Sequence, residues 1–386
     1  MKYYIIAGEA SGDLHGSNLI KQLRLLDASA IVRCWGGDLM AAAGARLVKH
    51  YRELAFMGFV EVIKNLPKIF NNLAFCKQDI FAFQPDVLVL IDYPGFNLRI
   101  ATWAKQQGFK VVYYISPQVW AWKANRVVKM KLCIDKMLVI LPFEKQYYND
   151  VWDWQVDYVG HPLVEVVNNY KLQDTSYEEQ NTSDKLQVKD NPQPATSNQP
   201  IIAVLPGSRK QEIAIKLPIM LNVAKHFPNY QFIIAEAPGV DESFYKCFYQ
   251  NALLNISTIK NNTYQLLSTA TAAMVTSGTA TLETALFKVP EVVCYKGSNI
   301  SYQIGKRLIK IKYISLVNLI MDKLVVKELI QDEMTAENLK IELTEILNNK
   351  EKQKQIQQDY SALYNLLSQG GNASKKAATI IYEFVV

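Results

Sequence analysis

The sequence predicts an α/β protein made of two doubly wound parallel units. Short Val/Ile/Leu-rich runs alternate with helical segments in both halves, the pattern of strands covered on both faces of a parallel sheet. A polar stretch at 171–199 splits this alternation into two similar sets. The length of 386 residues fits two domains of ~100–200 residues each.

In chain order, the first half predicts strands at 3–7, 31–35, 86–92, 110–115, 136–141 and 156–159. Helices are expected near 14–26, 58–75, 96–107, 122–132 and 143–150. Residues 171–199 are rich in Gln, Asn, Ser and Asp, lack apolar periodicity, and read as a flexible linker or disordered insertion. Strands then resume near 201–205, 230–236, 272–276 and 291–295, with helices near 210–225 and 279–287. The tail from Thr335 to Val386 reads as helical, broken at Gly370-Gly371. The expected division is 1–170, a linker at 171–199, 200–345, and C-terminal helices at 346–386 packing back on the first domain. Ligands of such folds gather outside the carboxyl ends of the strands, and two units suggest a cleft between them.

Composition narrows the function class. Hydrophobic residues are 49% and charged residues 20%, normal for a packed globular chain. The net charge of +6 suits anionic membranes or phosphorylated substrates and falls short of a nucleic-acid tail. Five scattered cysteines without metal spacing read as reduced thiols of a cytoplasmic protein. The opening run Met1–Ala7 is too brief for a signal-peptide core. No apolar run reaches the ~18 residues of a spanning helix, so membrane contact is expected to be peripheral.

Several motifs follow strand-like runs, where ligands are expected. Ser277-Gly278-Thr279-Ala280-Thr281-Leu282-Glu283 offers hydroxyls and free N–H groups at a helix start, with Glu283 about one turn in. It reads either as a nucleotide diphosphate site, with Glu283 taking ribose hydroxyls, or as an ordinarily capped helix. Leu205-Pro206-Gly207-Ser208-Arg209 offers Gly207 for close approach, Ser208 as donor and Arg209 as a bidentate phosphate clamp. Glu212 is a rival partner for Arg209. The polar run from Gly8 to Gly16 carries Glu9, Ser11, Gly12, Asp13 and His15, and reads as a ligand loop or a strand–helix turn capped by Asp13. Its spacing is not the dinucleotide fingerprint.

Asp92, in Asp92-Tyr93-Pro94-Gly95-Phe96-Asn97, emerges at a strand end, either as a general base for a sugar hydroxyl or as part of a Pro-Gly turn. Trp120 and Trp122 read as a sugar-stacking wall or as core, and His161 as structural or catalytic. The stretch Phe56–Phe70, with Met57, Phe59, Val60 and Ile63 punctuated by Lys64 and Lys68, suits a membrane interface, an acyl-chain contact or a helix packed on the sheet.

Taken in order, GEASGD, MGFVEV, IDYPGFN, SPQVWAW, LPFE, VGHP, LPGSR, SGTATLE and Ser315-Leu316-Val317-Asn318-Leu319 resemble the lipid A disaccharide synthases from Lys2 to about Glu333. The resemblance implies GT-B architecture, two Rossmann-like domains facing across a cleft, with acceptor in the first and UDP-sugar in the second. It implies an inverting hexosyltransferase. That enzyme would move 2,3-diacylglucosamine from UDP-2,3-diacylglucosamine to 2,3-diacylglucosamine 1-phosphate, giving the β(1→6) tetraacyl disaccharide 1-phosphate and UDP. A base would deprotonate the acceptor 6-hydroxyl as UDP departs. No metal or other cofactor is implied if Arg209 and helix N-termini hold the diphosphate.

Site residues carry over by position. Ser208 and Arg209 match the diphosphate loop, Ser277, Gly278, Thr279 and Thr281 the second phosphate loop, and Glu283 the ribose acid. Asn318 matches a site-lining position after the last strand. Glu9, Ser11, Gly12 and Asp13 match the first-domain loop. Asp92 matches the first Asp of the family's Asp-x-Pro-Asp-Phe-Asn segment, and Gly95 stands where many relatives carry the second Asp. The base is then Asp92, with Glu9 and His15 as alternatives. The resemblance further implies a peripheral protein on the cytoplasmic face of a Gram-negative inner membrane, acylated sugar substrates, a homodimer and no nucleic-acid partner. Two rivals remain: another UDP-sugar transferase or epimerase of this architecture, and a catalytically silent nucleotide-sugar-binding protein.

Overall fold

The computed structural model describes residues 1–54, 66–181, 199–249, 255–297, 302 and 311–386. Met57, Phe59, Val60 and Ile63, expected at the membrane surface, lie outside the described residues. The chain forms two compact units: Met1–Pro162 with Leu367–Val386, and Leu163–Leu366.

The first unit holds seven strands: β1 (Lys2–Ala7), β2 (Ile31–Gly36), β3 (Arg46–His50), β4 (Val87–Ile91), β5 (Val111–Tyr114), β6 (Lys136–Val139) and β7 (Asp157–Tyr158). They form one parallel sheet in the order β3-β2-β1-β4-β5-β6-β7. Side chains alternate across a strand, so an unbroken apolar run feeds both faces. Tyr4, Ile6, Leu88, Leu90 and Tyr113 pack on one face, and Tyr3, Ile5, Val87, Val89 and Val112 on the other. The strand order reverses between β1 and β4, where Ala7 pairs with Ile91. The segments beginning at Gly8 and Asp92 therefore leave the sheet side by side. The helix Ala373–Val385 returns to this unit beside the helix Ala10–Leu26 and adds Ala377, Ala378 and Ile381 to the second core face.

The second unit repeats the plan with β8 (Ile201–Leu205), β9 (Gln231–Glu236), β10 (Ile256–Lys260), β11 (Ala270–Thr276), β12 (Glu291–Tyr295) and β13 (Lys327–Ile330). All pairs are parallel, in the order β10-β9-β8-β11-β12-β13. The reversal falls between β8 and β11, where Leu205 pairs with Val275. The turns after these two strands are thus neighbours.

Several expectations are corrected. Three strands were not expected, β3, β10 and β13, and each closes a sheet edge. Their sequences, RLVKH, ISTIK and KELI, are short and polar because an edge is only half covered. The first helix begins at Ala10 rather than 14, so Ser11, Gly12, Asp13 and His15 lie in its first turns, not in a loop. The helix Pro162–Asn181 runs through the first part of the expected linker, with residues 182–198 outside the described set. It is anchored in the second unit by Tyr170, whose ring meets Tyr264 and Phe287 edge-on, each at 5.8 Å. The units therefore divide after Pro162 rather than at 170, and the chain re-enters the first unit only at Leu367.

Candidate functional site

Each unit gathers polar groups at its crossover point. In the second unit, the turn after β8 carries Gly207, Ser208 and Arg209, and the turn after β11 carries Ser277, Gly278 and Thr279. Gly207 (φ 124°) and Gly278 (φ 130°) adopt backbone conformations that strain any residue with a Cβ. Ser208, Arg209 and Thr279 are exposed, as a diphosphate site requires. Arg209 Nη1 donates to Glu212 Oε1 at 3.2 Å.

Glu283 is half-buried, and Tyr264 Oη donates to its Oε1 at 3.1 Å. Burial pushes its carboxyl above the ordinary value, and the Tyr264 hydrogen bond works the other way. The sequence reading missed Tyr264, which stands in the Thr263–Thr269 helix with no strand motif to announce it.

Two residues of this group are turned to the fold. Thr281 is fully buried, and its hydroxyl donates to the Gly278 carbonyl at 2.8 Å, so it closes the turn that presents Ser277 and Thr279. Asn318 precedes the last strand, in the helix Leu316–Met321. Its Nδ2 donates to Val326 O and Glu328 Oε1, and its Oδ1 accepts from Val325 N and Val326 N. That uses the whole amide, leaving nothing to line a site.

In the first unit, Glu9 and Ser11 are exposed at the start of the helix Ala10–Leu26. Gly12 is buried because a Cβ there would sit 3.0 Å from that of Ala7, so it serves close packing of helix on strand. Asp13 does not cap its own helix. It accepts from the N–H groups of Gly37 (2.8 Å), Leu39 (3.2 Å) and Met40 (3.0 Å), bracing the helix Asp38–Ala42 against its own.

Asp92 and Tyr93 both take left-handed backbone angles, φ 45° and 48°. Two such residues in succession, neither a glycine, store strain where the chain leaves β4. The Asp92 carbonyl is pinned by Asn97 Nδ2 at 2.8 Å and Tyr113 Oη at 2.5 Å, which holds the backbone of this turn. Burial first, and the charge of Glu9 second, push the Asp92 carboxyl up to about 6, with the Tyr93 N–H opposing. At Gly95 an added Cβ would meet nothing within 4 Å, so the turn has room for a larger side chain there.

Glu144 joins this group and was not singled out by sequence. It accepts from Leu141 N (3.0 Å), Ile140 N (3.3 Å) and Trp120 Nε1 (3.2 Å), tying the segment after β5 to that after β6. Burial pushes its carboxyl up to about 7, its three donors oppose that, and the charge of Asp92 adds to the rise. Trp120 is half-buried, edge-on to Phe143 at 5.0 Å, whereas Trp122 is exposed beneath the Lys123 ammonium. His15 and His161 are both buried, and burial pushes them down to about 4 and about 3, so both are neutral imidazoles.

Comparison with known proteins agrees with this geometry. By structure, the glycotransferase of kitacinnamycin matches with a TM-score of 0.66 at 12% identity, covering 100% of this chain and 99% of that one. The UDP-GlcNAc 2-epimerase from Neisseria meningitidis matches at 0.63 and 14%, with the same coverage. These likenesses establish the two-domain GT-B fold. By sequence, the lipid-A-disaccharide synthase of Geobacter metallireducens is 36% identical over 385 residues, 99% of this chain and 96% of that protein. Lipid-A-disaccharide synthase 1 of Legionella pneumophila (strain Lens) is 39% identical over 352 residues, 89% of this chain and 86% of its own. The lipid-A-disaccharide synthetase family model matches residues 3–382, nearly the whole described fold and both crossover sites. The chain therefore belongs to the lipid-A-disaccharide synthetase family and is a glycosyltransferase of lipid A disaccharide synthesis.

Proposed function

We propose that this chain transfers 2,3-diacylglucosamine from its UDP derivative to 2,3-diacylglucosamine 1-phosphate, forming the β(1→6) disaccharide with inversion. The observation that carries the reading is the adjacency of β8 and β11, whose two turns bring Ser208, Arg209, Ser277 and Thr279 to one rim. Arg209 and the backbone N–H groups of these turns take the diphosphate, and Glu283 takes the ribose hydroxyls. In the first unit, Asp92 accepts the proton of the acceptor 6-hydroxyl, and burial, with the charge of Glu9 second, makes its carboxylate basic enough to do so. The attacking oxygen displaces UDP in a single step, with the departing negative charge stabilised by Arg209.

Both substrates carry acyl chains, so we assign the chain to a membrane surface, held by the 56–70 stretch. In support, Phe70 is 59% exposed, and among the described residues no helix is long and apolar enough to cross a membrane. The cytoplasmic face of an inner membrane and a homodimer are both expected from the resemblance.

Purified protein given UDP-diacylglucosamine and the lipid acceptor is expected to release UDP and a product with the mass of the tetraacyl disaccharide phosphate. Arg209→Ala is expected to weaken UDP binding about tenfold or more, the loss of a bidentate charge-assisted contact. No UDP release, or release without a product of that mass, would overturn the proposed substrates.

A further inference from the structure

Lys216 is a charge buried under the turn that follows β8. It lies in the helix Lys210–Leu221 and is only 3% exposed. Its ammonium donates to Thr276 Oγ1 at the end of β11, stands 3.7 Å from Glu212 Oε2, and lies 3.5 Å from where a Cβ on Gly207 would be. The other carboxylate oxygen of Glu212 accepts from Arg209 Nη1 at 3.2 Å. Lys216, Glu212 and Arg209 thus form a chain of alternating charge from beneath the turn out to solvent, with side chains 4%, 36% and 46% exposed.

An exposed arginine–glutamate pair three residues apart holds its geometry poorly, because both side chains are free to turn into water. Here one partner is tethered. The Lys216 ammonium is fixed by Thr276 and its packing, so the Glu212 carboxylate has a stationary cation behind it. Glu212 engages one guanidinium nitrogen of Arg209, and the planar fork carries donors on the others for two phosphate oxygens.

We propose that Lys216 is a positioning residue of the diphosphate site, acting through Glu212 to hold the Arg209 guanidinium ready for the ligand. The inference rests on the reading that Arg209 clamps the diphosphate. It explains why a lysine occupies a buried position at all. Burial pushes its ammonium below the ordinary value, with Glu212 pulling it back, so the charge is held there at a cost. Glu212 is partly exposed, so removing the lysine leaves no fully buried unpaired charge behind.

Two variants of the full chain separate positioning from a purely structural role, read by calorimetric titration with UDP and by thermal unfolding. Lys216→Met keeps the length of the side chain and is expected to hold or raise Tm while weakening UDP binding about tenfold. Glu212→Gln is expected to weaken it similarly, and the double variant to be no worse than either, because both break one chain. Glu212→Gln alone decides the matter should Lys216→Met not fold. Wild-type UDP affinity in both single variants overturns the proposal, as does additivity in the double. Tighter binding by Glu212→Gln overturns it too, making Glu212 a competitor for the cations. Arg209→Ala, measured alongside, distinguishes the two failures. If it binds UDP normally, the diphosphate reading itself is wrong. If it binds weakly while Lys216→Met is normal, only the positioning role fails.

Discussion

Asp92 and Glu9 stand at the ends of neighbouring strands, and their proximity has a kinetic consequence. A carboxylate serving as base must be unprotonated, so kcat/KM is expected to rise with pH through about 6 and level off above it. Glu9→Gln removes the negative charge that helps raise Asp92, so the acid limb should move to lower pH. A limb unmoved by Glu9→Gln, or absent, would take the base role away from Asp92. His15, another candidate base, is buried, and burial pushes its imidazole down to about 4. The roles of Asp13 and Asn318 could not be read from sequence, because their hydrogen-bond partners come from other segments or depend on the backbone path. Lys216 and Glu144 were hidden for a related reason: a charged helix residue reads as solvated until its neighbours are known.

At the scale of elements, legibility followed coverage by protein. The central strands β1, β4, β8 and β11 were readable because a strand covered on both faces is a continuous apolar run. The missed strands β3, β10 and β13 lie at edges, where that signal fades. The two turns after β8 and β11 were legible in position, since each follows a buried apolar run; their ligand is a proposal that the Arg209→Ala titration tests. The helix Leu66–Phe83 continues the 56–70 stretch and exposes Phe70, so the proposed membrane contact is tested at this element. Replacing Met57 and Phe59 together by Ser is expected to lower binding to anionic liposomes severalfold while UDP affinity stays the same. Undiminished liposome binding in a flotation assay would remove that surface.

For the whole molecule, the decisive feature is how the chain leaves the first unit and returns. It leaves after Pro162 and re-enters at Leu367, and beside these points the backbones of Gly160 and Gly370 touch. A Cβ on Gly370 would overlap Gly160 itself, and a Cβ on Gly160 would sit 3.0 Å from the Gly371 carbonyl. Gly370→Ala is therefore expected to cost about 1–3 kcal/mol, the range for overpacking a close contact. Urea unfolding would measure it, and an unchanged midpoint would mean that the backbones yield without strain. Composition and length indicated two units and a tail returning to the first from residue 346; the point of re-entry at Leu367 was not legible, because nothing in a helical tail marks where it changes sheets.

The return of Ala373–Val385 to the first unit sets a schedule for the nascent chain. The sheet of the first unit leaves the ribosome early, yet Ala377, Ala378 and Ile381, which complete one of its faces, arrive only after Leu163–Leu366 has been translated. At ~5–20 residues per second that delay is about 10–40 s, during which Leu19, Leu23 and their neighbours await their cover. The second unit, continuous in sequence, can mature first, while the first waits for its last helix.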